Sequence, residues 1–383
     1  MANTLTNLTP DLFEALDVVS RELVGLIPAV SRDSNAERAA LNQTVRSFVA
    51  PASTSASITP GQLPPDTGNQ TIGNKTITIS KAKAVPVRWN GEEQRGMNTG
   101  PGYQNILRDQ FAQAMRTLCN EVEADLASLF YKASRGVGPA GTTLFDAANY
   151  NDIANVRKIL VDNGAPTNDM TVVLNTIAGA AFRGQAQNYS YQNAGDVSFL
   201  RQGELMNIHG MQIRESAQIV QQTAGTGSGL KTDSTGYALG ATSITVATDG
   251  SGTIVAGDVI TFAGDTNPYV VLSGGDMGSG GTVVIGAPGL KKAIGAAQVD
   301  ITVNTSTDKN MAFSRNAIHL VTRAPARPSE GDSADDVMVI TDPRSGLSFE
   351  VSLYKEYRQV HYEIALAWGY EVIKPEHMAL LID

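Results

Sequence analysis

A single cysteine, Cys119, stands in 383 residues, so an intrachain disulfide and any cysteine-built zinc or iron–sulfur centre are excluded on ligand count alone. Charge is scarce as well. Asp, Glu, Lys and Arg make up 17% of the chain, below the roughly 25% of ordinary globular proteins. The balance is acidic, at −9, which excludes a protein that grips nucleic acid through a basic footprint. No run of about 18 apolar residues occurs, and Met1 to Leu12 has neither a basic stretch nor an apolar one. The expectation is a chain neither secreted by a standard signal nor membrane-spanning, in a reducing compartment or indifferent to redox.

Catalytic patterns are missing too. His209, His319, His361 and His377 are scattered singly. His361-Tyr362-Glu363 has the His-x-Glu spacing of zinc deaminases, yet the paired cysteines that complete such a site cannot exist here. Gly225-Thr226-Gly227-Ser228-Gly229 leads into Lys231-Thr232-Asp233-Ser234 and strand-like sequence, whereas a phosphate loop must open a helix. It reads as a flexible hinge. Lys75, Lys81 and Lys83 on an extended segment raise the idea of an isopeptide bond to a distant Asn, but that chemistry needs a buried carboxylate that the sequence does not place. No catalytic, metal or cofactor residue is expected.

What is present is periodicity. Leu12, Leu16, Val19, Leu23, Leu26 and Val30 form a 3.6-residue stripe, and Pro28 places the end of that helix near Ile27, before a polar break at Ser31 to Asn35. Ala50-Pro51, Thr59-Pro60-Gly61 and Leu63-Pro64-Pro65-Asp66 then punctuate a Ser/Thr-rich stretch that cannot bury enough apolar surface to hold itself together. Thr76 to Ile79 and Ala84 to Trp89 alternate like the two strands of an arm, with Pro86 confining the second to an edge. Such an arm is expected to rest on another molecule, with disorder in the free chain as the alternative. Thr76, Ile77, Ile79, Val85, Val87 and Trp89 are its expected contacts with a neighbouring subunit.

After Gly100-Pro101-Gly102, apolar residues at Leu107, Phe111, Met115, Leu118, Val122, Leu126 and Leu129 step by fours and threes. This spacing predicts one helix from Tyr103 to Arg135, about 50 Å long at ~1.5 Å per residue. Cys119 and Met115 on its stripe read as core. Ile153 to Leu160, Thr171 to Leu174 and Ile177 to Phe182 then read helix, strand, helix, a mixed α and β layer.

From Gly225 to Asn310 the composition shifts: 17 of the 37 glycines fall there, with no Arg or Glu. Short β-branched runs between glycine turns predict a small inserted β-barrel or sandwich. Ala317 to Thr322, Leu347 to Leu353 and Val360 to Trp368 read as strands. The last two are expected as neighbours, Val360, Tyr362, Ile364, Leu366 and Trp368 share one face, and Gly369 to Ile373 and Met378 to Ile382 complete the same sheet.

In its order of elements the chain resembles the major capsid proteins of tailed bacteriophages, whose α+β fold is called HK97-like. The resemblance rests on Gly102 to Arg135 as a spine helix, Ile153 to Phe182 as the first half of an axial domain, and Ala367-Trp368-Gly369-Tyr370-Glu371-Val372-Ile373-Lys374-Pro375-Glu376 as closing strands. Its inserted β-domain is most similar to that of the Salmonella-phage coat type. The resemblance implies six regions: an N-terminal arm (1–41), an extended hairpin loop (42–100), a spine helix with the first part of a peripheral domain (101–145), the first part of the axial domain (146–224), the insert (225–310) and return strands (311–383). It implies a non-enzymatic shell subunit that assembles with itself into hexamers and pentamers, works with scaffolding and portal proteins, and encloses double-stranded DNA without sequence-specific binding. The place would be the virion capsid, after synthesis in the host bacterial cytoplasm, with no cofactor and no membrane. A bacterial surface or adhesin-like β-rich protein is the alternative.

Overall fold

The computed structural model describes residues 10–16, 25–49, 72–97, 102–138, 144–145, 151–184, 207–341 and 346–382, together with positions 55, 57, 58 and 60. Its longest helix is Gly102–Ala127, 26 residues and so about 39 Å. Leu107, Phe111, Met115, Leu118, Val122, Leu126 and Leu129 are all buried, each at 3% exposure or less. At about 1.5–3 kcal/mol per buried side chain as an upper estimate, this stripe outweighs any surface ion pair and decides how the helix lies. The helix ends sooner than the spacing predicts. Ser128–Lys132 tightens into a 3₁₀ turn, Ser128 Oγ donating to the Asp125 carbonyl at 2.6 Å. Arg135–Val137 is then drawn out as a strand, parallel to Met378–Ile382 and touching Tyr269 on its other side.

Under the stripe lies a six-stranded sheet in the order Ser31–Ala39, Ile318–Pro325, Gln359–Val372, Ser348–Glu356 and Ala334–Thr341, with Lys81–Asn90 also on Gln359–Val372. The 14-residue strand Gln359–Val372 is the hub. One side is shared lengthwise, Ser348–Glu356 pairing residues 359–365 and Ile318–Pro325 pairing 367–372. Its other side takes Lys81–Asn90, from Trp368↔Lys81 to Gln359↔Asn90. Tyr362, Ile364, Leu366 and Trp368 are buried in one core with the helix stripe, and Phe111 meets Tyr362 edge-on at 5.3 Å.

A second sheet runs Met211–Glu215, Met170–Leu174, Thr307–Ser314, Met378–Ile382, Arg135–Val137 and on into Tyr269–Ser273, Val259–Phe262, Asp300–Val303 and Leu230–Lys231. Helices Asn151–Asp162 and Thr176–Arg183 cover it through Ile153, Val156, Leu160 and Phe182. Residues Leu230 to Ile301 gather round an apolar cluster of their own, including Ile244, Ile260, Phe262, Tyr269, Val283 and Ile285. Among the described residues, one strand pair, Tyr269↔Arg135, joins these strands to the rest of the sheet, while Val259 and Val270 reach into the main core.

Four expectations change. Residues 25–30 form a turn, not the end of a helix, because the Leu26 and Ile27 amides are taken by Glu123 instead of by helical carbonyls. The polar run after it is the strand Ser31–Ala39, parallel to Ile318–Pro325, its charges met by Arg323–Asp33 at 2.9 Å and Arg38–Glu350 at 2.5 Å. Met378–Ile382 belongs to the second sheet, between Thr307–Ser314 and Arg135–Val137. The expected boundary at Asn310 falls inside the strand Thr307–Ser314, which is buried along its length and pairs with Met170–Leu174 and Met378–Ile382.

Candidate assembly site

Thr44–Val49 and Gly73–Thr78 pair antiparallel, from Thr44↔Thr78 at the base to Val49↔Gly73 at the far end. Among the described residues this ribbon pairs with no third strand. The base is closed by two backbone hydrogen bonds, Asn42 N–H to the Ile79 carbonyl and Ile79 N–H to that of Gln43, both 2.9 Å. Asn42, at φ 68°, makes the reversal into it. Within Gly73–Thr78 only Ile77 is buried, and Ile72 and Ile58 beyond it are 67% and 97% exposed. A lone two-stranded hairpin is at best marginal in water, and among the described residues only the base of this one, through Val45, Ile77 and Ile79, packs on the rest of the chain.

The strands of the expected arm do not pair with each other. Gly73–Thr78 belongs to the ribbon and Lys81–Asn90 to the six-stranded sheet. Period-2 alternation marks both as strands, but their partners lie about 30 and 280 residues away, beyond the reach of local pattern. Among the described residues Lys81–Asn90 has a partner strand on one side only, an edge on which Pro86 is tolerated opposite Glu363. The strand is bound to the long helix at three levels: Lys81 Nζ to Asp125 at 2.6 Å, Lys83 Nζ to Glu121 at 2.6 Å, and Trp89 Nε1 to Gln110 Oε1 at 2.8 Å. Asp125 also accepts Trp368 Nε1 at 2.8 Å. The hydrogen bond that Lys81 donates to Asp125 raises the Lys81 pKa, so this contact is fully present at neutral pH and weakens only as pH rises through that raised value. Asp125→Ala leaves the buried indole N–H without this acceptor, at an expected cost of about 1–3 kcal/mol. Lys83→Ala breaks only an exposed pair and should cost less than about 1 kcal/mol. Urea denaturation of the two variants checks the ranking.

Of the six residues expected on an intersubunit contact, four are covered by this chain. Ile77 and Ile79 pack with Ala39, Val321, Ala367 and Ile373, and Val87 and Trp89 lie in the main core. Thr76 is exposed and Val85 half-buried. The exposed residues of the ribbon are instead Arg46, Asn74, Thr76 and Thr78 on one face and Lys75 on the other, with Ile72 beyond them. Sequence reasoning also passed over Glu123 and Asp125. Both are acids one residue away from the stripe positions Val122 and Leu126, and an acid there must have a built partner.

Where Lys81–Asn90 ends, the Tyr357-Arg358 turn leaves a cleft of about 710 Å³ lined by Trp89, Glu92, Gln94, Lys355, Arg358 and Val360. It holds neither a nucleophile with a base nor a metal-ligating set. Among the described residues no three His, Cys, Asp or Glu side chains stand together as a metal site, and no helix is long and apolar enough to cross a membrane. Lys81 and Lys83 reach carboxylates, not an asparagine. Gly225 donates its N–H to Asp258 at 3.1 Å and opens no helix. A Cβ at Gly225 would lie 2.3 Å from the Thr253 carbonyl oxygen, so the glycine serves close packing at this junction.

The chain is thus an α+β protein with a projecting ribbon and no constellation of catalytic groups in the described residues. No family model matches it, and no curated protein does. Solved structures similar to it include that titled Mycobacterium phage Che8, with 13% identity over 90% of this chain and 88% of that one and a TM-score of 0.44. The capsid of cyanophage P-SCSP1u has 11% identity over 92% and 86%, with a TM-score of 0.49. The capsid of the native GTA particle has 12% identity over 94% and 90%, with a TM-score of 0.47. Likeness at this distance carries no argument about function, which is taken from the chain's own geometry.

Proposed function

We propose that this chain is the shell-forming subunit of a tailed-phage type capsid with the HK97-like arrangement, and that it works by assembling with copies of itself. The ribbon Thr44–Val49/Gly73–Thr78 carries this reading: exposed on nearly every residue of its second strand and marginal alone, it is completed by a neighbouring copy. The sequence resemblance supplies the particular form, hexamers and pentamers closing an icosahedral shell around double-stranded DNA, with scaffolding and portal proteins as partners and the virion as location. A net charge of −9 suits a wall into which DNA is driven and which need not hold it tightly. The chain has no enzymatic role in this reading. Sedimentation velocity over a range of concentrations, with and without a scaffold, should show large closed species, whose interfaces exceed the roughly 1,600 Å² of a standard pair. A monomer under every condition would refute it.

The glycine-rich region, with its own apolar cluster and one pair to the neighbouring sheet, is read as an inserted module of the Salmonella-phage coat type. Residues 224–306 expressed alone should give a β-type circular dichroism spectrum and a cooperative melt, with a stability of a few kcal/mol at this size. A random-coil spectrum would show that these strands depend on the main sheet.

A further inference from the structure

Arg135 opens the short strand Arg135–Val137 and is 5% exposed. Its Nη1 donates to Asn267 Oδ1 at 3.0 Å, while Nε and Nη2, both buried, meet no hydrogen-bond acceptor among the described residues. The Asp162 carboxylate stands 3.9 Å from Nη2, beyond hydrogen-bond length. Asp265 also acts on Arg135, but its oxygens are spent on their own loop: Oδ1 accepts the Asn267 amide at 3.0 Å and Asn267 Nδ2 at 2.7 Å, and Oδ2 accepts the Tyr269 hydroxyl at 2.7 Å. A buried cation is costly to leave without acceptors. The Nε and Nη2 side of a guanidinium is also the edge whose two N–H bonds run parallel, matching the oxygens of a carboxylate or phosphate.

Arg135 lines a cavity of about 480 Å³ at which three parts of the chain meet. The short strand is one. The helix Asn151–Asp162 contributes Asp152, Asn155, Lys158 and Asp162, and the glycine-rich region contributes the loop at Asn267. Lys158 is an exposed second cation. Of the two acids, Asp152 is engaged, its Oδ2 accepting the Phe145 N–H at 3.2 Å. Asp162, with its side chain 45% exposed, is the acid that competes for Arg135 and can turn into water. The volume exceeds what a bare ion fills and lies within the roughly 300–1,000 Å³ of small-molecule sites.

We propose that this cavity binds a small phosphate monoester, whose oxygens take the two N–H bonds of the Nε/Nη2 edge of Arg135 in place of the Asp162 carboxylate, with Lys158 as the second cation. Two cations suit a doubly charged phosphate better than a singly charged carboxylate. The ligand would join the helix to the glycine-rich region beside Tyr269↔Arg135, the strand pair between that region and the sheet. Nothing in this reading depends on shell assembly, and its test reads binding alone.

The probe is glycerol 3-phosphate, titrated against the full-length chain at constant ionic strength and followed by its phosphorus NMR linewidth. Saturable broadening with one site per chain is the expected result. Arg135→Lys keeps the charge but loses the parallel edge, and should weaken binding about tenfold or more. Lys158→Gln should weaken it a few-fold. Asp162→Asn removes the competitor and should tighten binding about threefold to tenfold. Asp169→Asn removes the same charge from an exposed position outside the cavity and should leave the affinity unchanged. Absence of saturable broadening in the native chain, undiminished binding in a folded Arg135→Lys, or equal tightening in Asp162→Asn and Asp169→Asn would each overturn the proposal. Should Arg135→Lys fail to fold, Asp162→Asn decides: an affinity unchanged or lowered overturns it.

Discussion

A chain in which residues 46–76 are replaced by Asn-Gly is expected to fold, remain soluble and form no shells. Val45 and Ile77 are directly paired, and Asn42, Gln43 and Ile79 close the ribbon base through two 2.9 Å backbone bonds. A two-residue turn can therefore join the stumps without disturbing the sheets. Ile77 and Ile79 are retained, so the small cluster they form with Ala39, Val321, Ala367 and Ile373 stays covered. What is removed is the exposed part of the ribbon, the part that the proposed function assigns to contact with a neighbour. The native chain sedimenting as large assemblies and the shortened one as a folded monomer, with matching circular dichroism and melts, is the expected pair of results. Shells of normal size from the shortened chain would mean that the ribbon is dispensable.

Leu118→Asp should destroy the soluble subunit. Leu118 is 1% exposed in the stripe of Gly102–Ala127 and lies in the same core as Tyr362, Ile364 and Trp368. The substitution removes a buried side chain and introduces an unpaired carboxylate at about 4 kcal/mol or more, out of a total of about 5–15 kcal/mol for a typical domain. Asn120→Asp, at an exposed position two residues on, adds the same charge and should shift stability by about 0.5 kcal/mol at most. Soluble yield and urea midpoints of the two variants separate burial from charge.

How much of this was legible in the sequence depends on how far away each cause lies. The helix stripe could be read because its seven positions repeat within a few turns, and all seven are buried. Helix termination could not, because Arg135–Val137 is claimed by strands at Met378–Ile382 and Tyr269–Ser273. Ser31–Ala39 hid as a strand because it carries Arg32, Asp33, Glu37 and Arg38 in place of an apolar alternation. Its polarity is answered by Arg323 and Glu350, both remote in the chain. The pairing of Ser348–Glu356 with Gln359–Val372 was legible because a two-residue turn joins them, whereas the partner of Gly73–Thr78 was not, because it lies about thirty residues away in the sequence. Of the expected arm, alternation marked both strands, but their partners were not legible. Its exposed residues were not legible either, since alternation places Ile77, Val87 and Trp89 on a face without saying whose core that face meets.

Electron microscopy of the purified full-length chain in negative stain tests the central claim most directly. Rings of five or six subunits and closed shells of uniform size are the expected result. A field of separate particles of about 40 kDa, unchanged by concentration or added scaffold, would contradict it.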